Sequence, residues 1–232
     1  MARYLIIAAS SAIGQSVVEL LKMQGNEVLT TARSKEKISP DFILDASDFT
    51  AVEKVFEQAG QLEGVVNCAG SLLLKSAHTT SFEEFQKIIN TSLTTSFAVV
   101  RAAGKNMTLG GSVVLIASAA ALTGIANHEA IAAAKAGVIG LARSAAATYA
   151  SSYLRINVVA PGMVKTPLTE PLLNNQLVAK ASTSMHALGR IGQPTDIAQA
   201  ILFFLNPENN WITGQVLAVD GGLSTIRPKL KV

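Results

Sequence analysis

The chain has 232 residues, 49% hydrophobic and 15% charged, with a mean hydropathy of +0.37. That is too apolar for disorder and low in charge for a free-standing helical bundle, and the length favours one layered α/β domain. A single cysteine excludes a disulfide framework or a cysteine-rich zinc site and implies a reducing, cytoplasmic compartment. The net charge of +3 is scattered apart from the Arg227, Lys229, Lys231 tail, so no nucleic-acid footprint is expected.

The first predicted element is a buried strand, Tyr4–Ala8, running into an amphipathic helix at Ile13–Gln24. Its apolar run is too short for an export signal. Further strands are predicted at Glu27–Thr31, Asp41–Leu44, Gly64–Asn67, Ser112–Ile116, Arg155–Val159 and Val216–Val219. Helices are predicted at Ala51–Ala59, Ser81–Thr108, His128–Ser151 and Thr195–Leu205. The run Val113–Ala126 is broken by Ser118, Thr123 and Gly124 and falls short of the roughly 18 apolar residues of a spanning helix, so no membrane partner is expected. The link Thr31–Asp41 leaves space for about one helical turn, where a crossover normally takes roughly ten to twelve residues.

Strand–helix alternation with near-continuously apolar strands predicts a Rossmann-type, doubly wound α/β fold with a mostly parallel seven-stranded sheet and helices on both faces. Ligands then sit at the carboxyl ends of the strands. The chain reads as a single domain, 1–232, with 166–193 as an excursion covering the site; Leu172, Leu173, Leu177, Met185 and Leu188 give that excursion an apolar character.

The loop after the first strand, Ala9-Ser10-Ser11-Ala12-Ile13-Gly14, opens a helix, where free N–H groups and the positive dipole end suit a pyrophosphate. Taken alone, Ser11 reads equally as a plain helix cap.

Further along stand Asn67-Cys68-Ala69-Gly70, Ser118, Lys135 within Ala132-Ala133-Ala134-Lys135-Ala136-Gly137, and Asn157-Val158-Val159-Ala160-Pro161-Gly162 with Thr166 beyond. Gly189-Arg190-Ile191-Gly192-Gln193-Pro194 and Val219-Asp220-Gly221-Gly222 complete the set. In this order and spacing the chain resembles the short-chain dehydrogenase/reductase family over nearly its whole length, including the branch of 3-oxoacyl-carrier-protein reductases. The resemblance implies a nicotinamide coenzyme, an alcohol or ketone as small-molecule substrate, no metal, and self-association as a dimer or tetramer through the Ala- and Gly-rich helix after Ile131.

It also assigns roles. Ala9, Ser10, Ser11 and Ile13 flank the phosphates, Asp45 and Ala46 the adenine, and Asn67, Ala69 and Gly70 the adjoining ribose. Lys135 holds the nicotinamide ribose, and Pro161, Gly162, Val164 and Thr166 line the nicotinamide. Arg33 stands where an acidic residue would hold an NAD ribose; a guanidinium pairs instead with a 2′-phosphate, so NADP(H) is expected over NAD(H). Its bland reading is a solvated surface cation.

Departures from the family pattern are specific. Ala8 and Ala12 replace two loop glycines, and Ile7 replaces a threonine. The catalytic serine and lysine are present as Ser118 and Lys135, but the proton-donating tyrosine position, four residues before Lys135, is Ile131. The supporting asparagine position is Ser92. Isoleucine exchanges no proton, and general acid–base help is worth about 10²–10⁴-fold in rate. His128, three residues before Ile131, is a substitute acid in one reading and a plain first-turn residue in the other; a water held by Ser118 and Lys135 is a further source of the proton. Two functions therefore stay open: an oxidoreductase with altered proton donation, and an NADP(H)-binding pseudoenzyme acting as sensor or assembly partner.

Overall fold

The computed structural model describes residues 1–228, so Lys229 and Lys231 of the basic tail lie outside the described residues. Seven strands form one sheet: β1 (Arg3–Ile7), β2 (Glu27–Ala32), β3 (Phe42–Ile43), β4 (Gly64–Asn67), β5 (Gly111–Ile116), β6 (Leu154–Pro161) and β7 (Val216–Val219). Their order is β3-β2-β1-β4-β5-β6-β7, every pair parallel. The expected doubly wound α/β architecture is therefore present, with the direction of winding reversing between β1 and β4.

Among the described residues, eight α-helices cover the sheet or its carboxyl edge: α1 (Ala12–Met23), α2 (Phe49–Ala59), α3 (Phe82–Ile89), α4 (Thr95–Asn106), α5 (Glu129–Thr148), α6 (Glu170–Leu173), α7 (Gln176–Met185) and α8 (Pro194–Leu205). Alternate residues of each strand face opposite layers. Leu5, Val65, Val113, Leu115 and Ile156 pack with Val52 and Phe56 of α2, Val99 of α4 and Val138 of α5. Ile6, Val66, Val114 and Val159 pack with Val17 and Leu21 of α1 and Ile197 and Ile201 of α8. Both faces are buried, which is why the strands read as continuous apolar runs rather than alternating ones.

Helix starts follow their caps. Ser11 accepts from Gly14 N, Asp48 from Ala51 N, and Ser81 with Glu84 closes a reciprocal capping box. Helix α5 is long and apolar enough to cross a membrane, yet half of its apolar window is buried within the fold, as in a core helix.

Three expected elements differ. No helix forms between Thr31 and Asp41; instead the Asp41 carboxylate accepts from Thr30 N and Oγ1 and closes the link. The helix expected over Ser81–Thr108 is α3 and α4 joined by a π-helical turn, Asn90–Thr94, in which Thr95 N donates to Asn90 O. Thr91, Thr95 and Ser96 each donate a hydroxyl to a carbonyl four residues back, which loosens the helical ladder there. The excursion folds as α6 and α7; of its apolar residues Leu172 and Leu173 are half-buried, while Leu177, Met185 and Leu188 are exposed.

At the amino ends of the strands lies a separate cavity of about 550 Å³, lined by Tyr4, Glu63, Tyr153, Arg155 and Trp211 among others. Trp211, the chain's one tryptophan, is 96% exposed there.

Candidate active site

The turn after β1 starts with Ala8 in the left-handed region, φ 57°. This is one of the two positions where the family resemblance leads one to expect glycine, and the conformation costs alanine about 1–2 kcal/mol. Ala8 N donates to Thr31 Oγ1, Ala9 N to Thr31 O and Ser11 N to Ala8 O, so β2 holds the turn in this shape. Ala12, at the other position, begins α1 with an ordinary helical backbone. Gly14 is required: a Cβ there would stand 2.9 Å from Ala8 O, Ala9 Cα and Ser11 Oγ. Among the described residues, the amides of Ser10, Ala12 and Ile13 make no hydrogen bond. Three open donors at a helix start form an anion-binding edge.

Arg33 follows the buried end of β2, is exposed and forms no ion pair among the described residues. Asp45 accepts from Ser47 N and Oγ, bonds that hold its carboxyl below the usual range, with Arg33 adding a smaller pull. Arg33 and Asp45 therefore share one corner, beside buried Ala46.

After β4, Asn67 is buried, with Oδ1 accepting from Ala69 N and Nδ2 donating to Thr95 and Ser96. It ties the loop to α4. Cys68 packs beside Ser11 and Lys135, and burial pushes its thiol up to about 12, leaving it protonated and inert at neutral pH.

Lys135 is 5% exposed; its Nζ donates to Ile116 O at 2.7 Å, at the carboxyl end of β5. A Cβ on Gly70 would lie 3.4 Å from that Nζ, so the Gly70 loop borders the amine directly. Burial lowers the ammonium to about 8. Ser118, two residues past β5, accepts from Ala120 N and stays partly exposed at the same edge.

One turn earlier on α5, Ile131 is 3% exposed and packs with Ile88, Ala130, Ala134 and Leu73. Ser92 lies in the π turn, fully buried, and its Oγ has no hydrogen-bond partner. His128 Nδ1 sits 2.7 Å from Ala126 O, and no hydrogen bond joins its ring to Ser118 or Lys135.

On the far side, Pro161 ends β6, Gly162 N donates to Val219 O, and buried Val164 pairs with Gly192. Thr166 and Thr169 lock the next turn through their hydroxyls, Thr169 also donating to Val164 O. Here sequence reasoning missed His186. Its buried ring accepts from Met163 N and donates to Ser182 O.

The order of the strands thus gathers Ser10, Ser11, Arg33, Asp45, Gly70, Ser118, Lys135 and the 161–166 segment along one sheet edge. His128 is joined to none of them by a hydrogen bond.

Comparison with known proteins fits this arrangement. Residues 7–224 match the family model described as enoyl-(acyl carrier protein) reductase. The chain is 33% identical to a 3-oxoacyl-[acyl-carrier-protein] reductase, FabG, of Thermotoga maritima, covering 94% of this chain and 96% of that protein. It is 34% identical to carbonyl reductase family member 4 of Danio rerio, covering 95% and 97%. A solved structure of ElxO with NADP bound superposes with a TM-score of 0.88 at 30% identity, covering 96% and 98%. By fold, ordered motifs and these likenesses, the chain belongs to the short-chain dehydrogenase/reductase family of nicotinamide-dependent oxidoreductases.

Proposed function

We propose that this protein binds NADP(H) in preference to NAD(H) and acts on a small alcohol or ketone with proton delivery altered by Ile131. The observation that carries the reading is Lys135. A cation buried at the carboxyl edge of β5 and bordered by the Gly70 loop costs stability, which supports a role in holding a ribose hydroxyl.

The residues present fit a dinucleotide. The open amides of Ser10, Ala12 and Ile13 suit the pyrophosphate, and Arg33, free of ion pairs among the described residues, suits a 2′-phosphate. Asp45, Ala46, Asn67, Ala69 and Gly70 border the adenosine, and Pro161, Gly162, Val164 and Thr166 the nicotinamide. When bound, the coenzyme supplies or accepts a hydride. The chain's own part is to polarise the substrate oxygen with Ser118 and move a proton at that oxygen.

Ile131 provides no such proton, and Ser92 lacks the amide expected at its position. With its ammonium lowered to about 8, Lys135 is a usable donor near neutral pH, directly or through one water shared with Ser118. The apolar packing of Ile131 also favours the second reading, a coenzyme-binding protein without turnover. Self-association belongs to both readings: Phe97 and Leu141 leave apolar surface on adjoining faces of α4 and α5.

Calorimetry with NADP⁺ and NAD⁺ tests the coenzyme assignment; equal affinities would remove it. A ketone panel read by NADPH consumption separates the two readings. Turnover dependent on Ser118 and Lys135 supports the enzyme, and binding without turnover supports the pseudoenzyme.

A further inference from the structure

His186 caps the carboxyl end of α7, is 3% exposed, and spends both ring nitrogens on backbone groups of different segments. Nδ1 lies 2.6 Å from Ser182 O, which can only accept, so Nδ1 carries the proton. Nε2 lies 3.0 Å from Met163 N, which can only donate, so Nε2 must offer its lone pair. Only the neutral Nδ1–H tautomer satisfies both.

The surroundings are shaped to the ring. A Cβ on Gly162 would stand 2.6 Å from Nε2, and one on Gly221 would stand 3.5 Å from the histidine Cβ. Glycines at the ends of β6 and β7 thus admit the imidazole between them. Beyond it, Leu188 N donates to Gly221 O, and Gly192 N donates to Met163 O, so the return of the excursion is stitched to the same two strand ends.

We propose that His186 is a positioning residue, a proton-sensitive latch that fixes the 162–166 segment beneath the excursion. Protonation at Nε2 replaces the acceptor with a second N–H directed at Met163 N–H. The bond breaks, two like dipoles face each other, and the segment and α7 separate. Asp220, the residue after β7, borders the same gap at Gly162; its oxygens already accept from Gly222 N, Ser224 N and Ser224 Oγ. The loop after β6 presents backbone there, and its Lys165, like Lys180 of α7, is exposed.

The latch itself is independent of the coenzyme; its effect on affinity rests on the reading that 161–166 lines the nicotinamide. The experiment therefore uses two readouts on the intact chain between about pH 8 and pH 5, where histidines change charge. The first is hydrogen exchange of the Met163 amide and of α7 in the free protein, corrected for intrinsic rates. We expect Met163 protection to fall at least about ten-fold on acidification, and His186→Gln, whose amide oxygen accepts but does not titrate, to abolish that fall. His186→Phe should lose the protection at every pH. Flat protection in the natural chain, or the same acid loss in His186→Gln, overturns the latch. The second readout is NADP⁺ affinity, expected to weaken with the loss of protection in the natural chain and not in His186→Gln. If protection falls and affinity does not, the latch stands and the coenzyme assignment of 161–166 falls.

Discussion

Two neighbouring turns of α5 are packed in opposite ways. At Ile131 the side chain sits in an apolar cluster with Ile88, Ala130, Ala134 and Leu73. At Lys135, four residues on, an ammonium is buried against one carbonyl with no carboxylate partner among the described residues. The first turn presents only hydrocarbon, which moves no proton. The second keeps a cation that destabilises the fold. Under the proposed function that cost is offset by holding a ribose hydroxyl or supplying the proton, neither of which needs a tyrosine at 131.

The largest expected effect strikes the first turn. Ile131→Tyr should raise NADPH-dependent ketone reduction by roughly 10²–10⁴-fold, the usual worth of a general acid. No gain would mean that the π turn with Ser92, rather than residue 131, has closed the site.

Next comes the second turn. Lowering Lys135 from 10.5 to about 8 corresponds to on the order of 3 kcal/mol against the charged form. Between about pH 8 and 10.5 the unfolded chain binds the proton and the folded chain does not, so stability rises with pH across that window. Lys135→Met should therefore stabilise the free protein against urea at pH 7 by about 2 kcal/mol once the lost bond to Ile116 O is counted. That gain should fade as pH passes 10.5, while NADP⁺ affinity drops at pH 7. Destabilisation at both pH values would show that the amine is not a buried liability.

Arg33→Ala extends the comparison to a second unpaired cation. The NADP⁺ to NAD⁺ affinity ratio should fall roughly ten- to a hundred-fold, the worth of a charge-assisted contact, with NAD⁺ binding almost unchanged. An unchanged ratio returns Arg33 to an ordinary surface residue.

The smallest effect concerns the loop. Ala8→Gly relieves a left-handed alanine and should stabilise the protein by up to about 1 kcal/mol, less the extra freedom of the unfolded chain. A thermal melt that shifts downward would contradict the strain at φ 57°.

The strands and their parallel, doubly wound arrangement were legible because a sheet buried on both faces leaves unbroken runs such as Val113–Ile116, whereas the strand order came only from the structure. Ordered motifs located the site's edge, and offsets from Lys135 located Ile131. The π turn was not legible. Its cause is hydroxyl groups bonding four residues back, and Asn90-Thr91-Ser92-Leu93-Thr94-Thr95-Ser96 offers a run of them as its only local signal. The exposure of the apolar excursion was not legible either, for a different reason. Composition shows that Leu177 and Leu188 are present but not which way a short surface helix turns them. His186 was invisible because its partners, Met163 and the Gly162 and Gly221 gaps, come from strand ends distant in sequence.

Trp211 bears on how binding at this site can be observed. The chain's one indole stands in water at the amino ends of the strands, whereas the open amides, Arg33 and Lys135 lie at their carboxyl ends. Its emission should be that of a solvated tryptophan, and a ligand at the carboxyl edge cannot quench it by contact. Optical titrations will have to follow the nicotinamide's own signal. A change in tryptophan emission on titrating a compound that absorbs no light in that range would point instead to the cavity beside Tyr153 and Glu63.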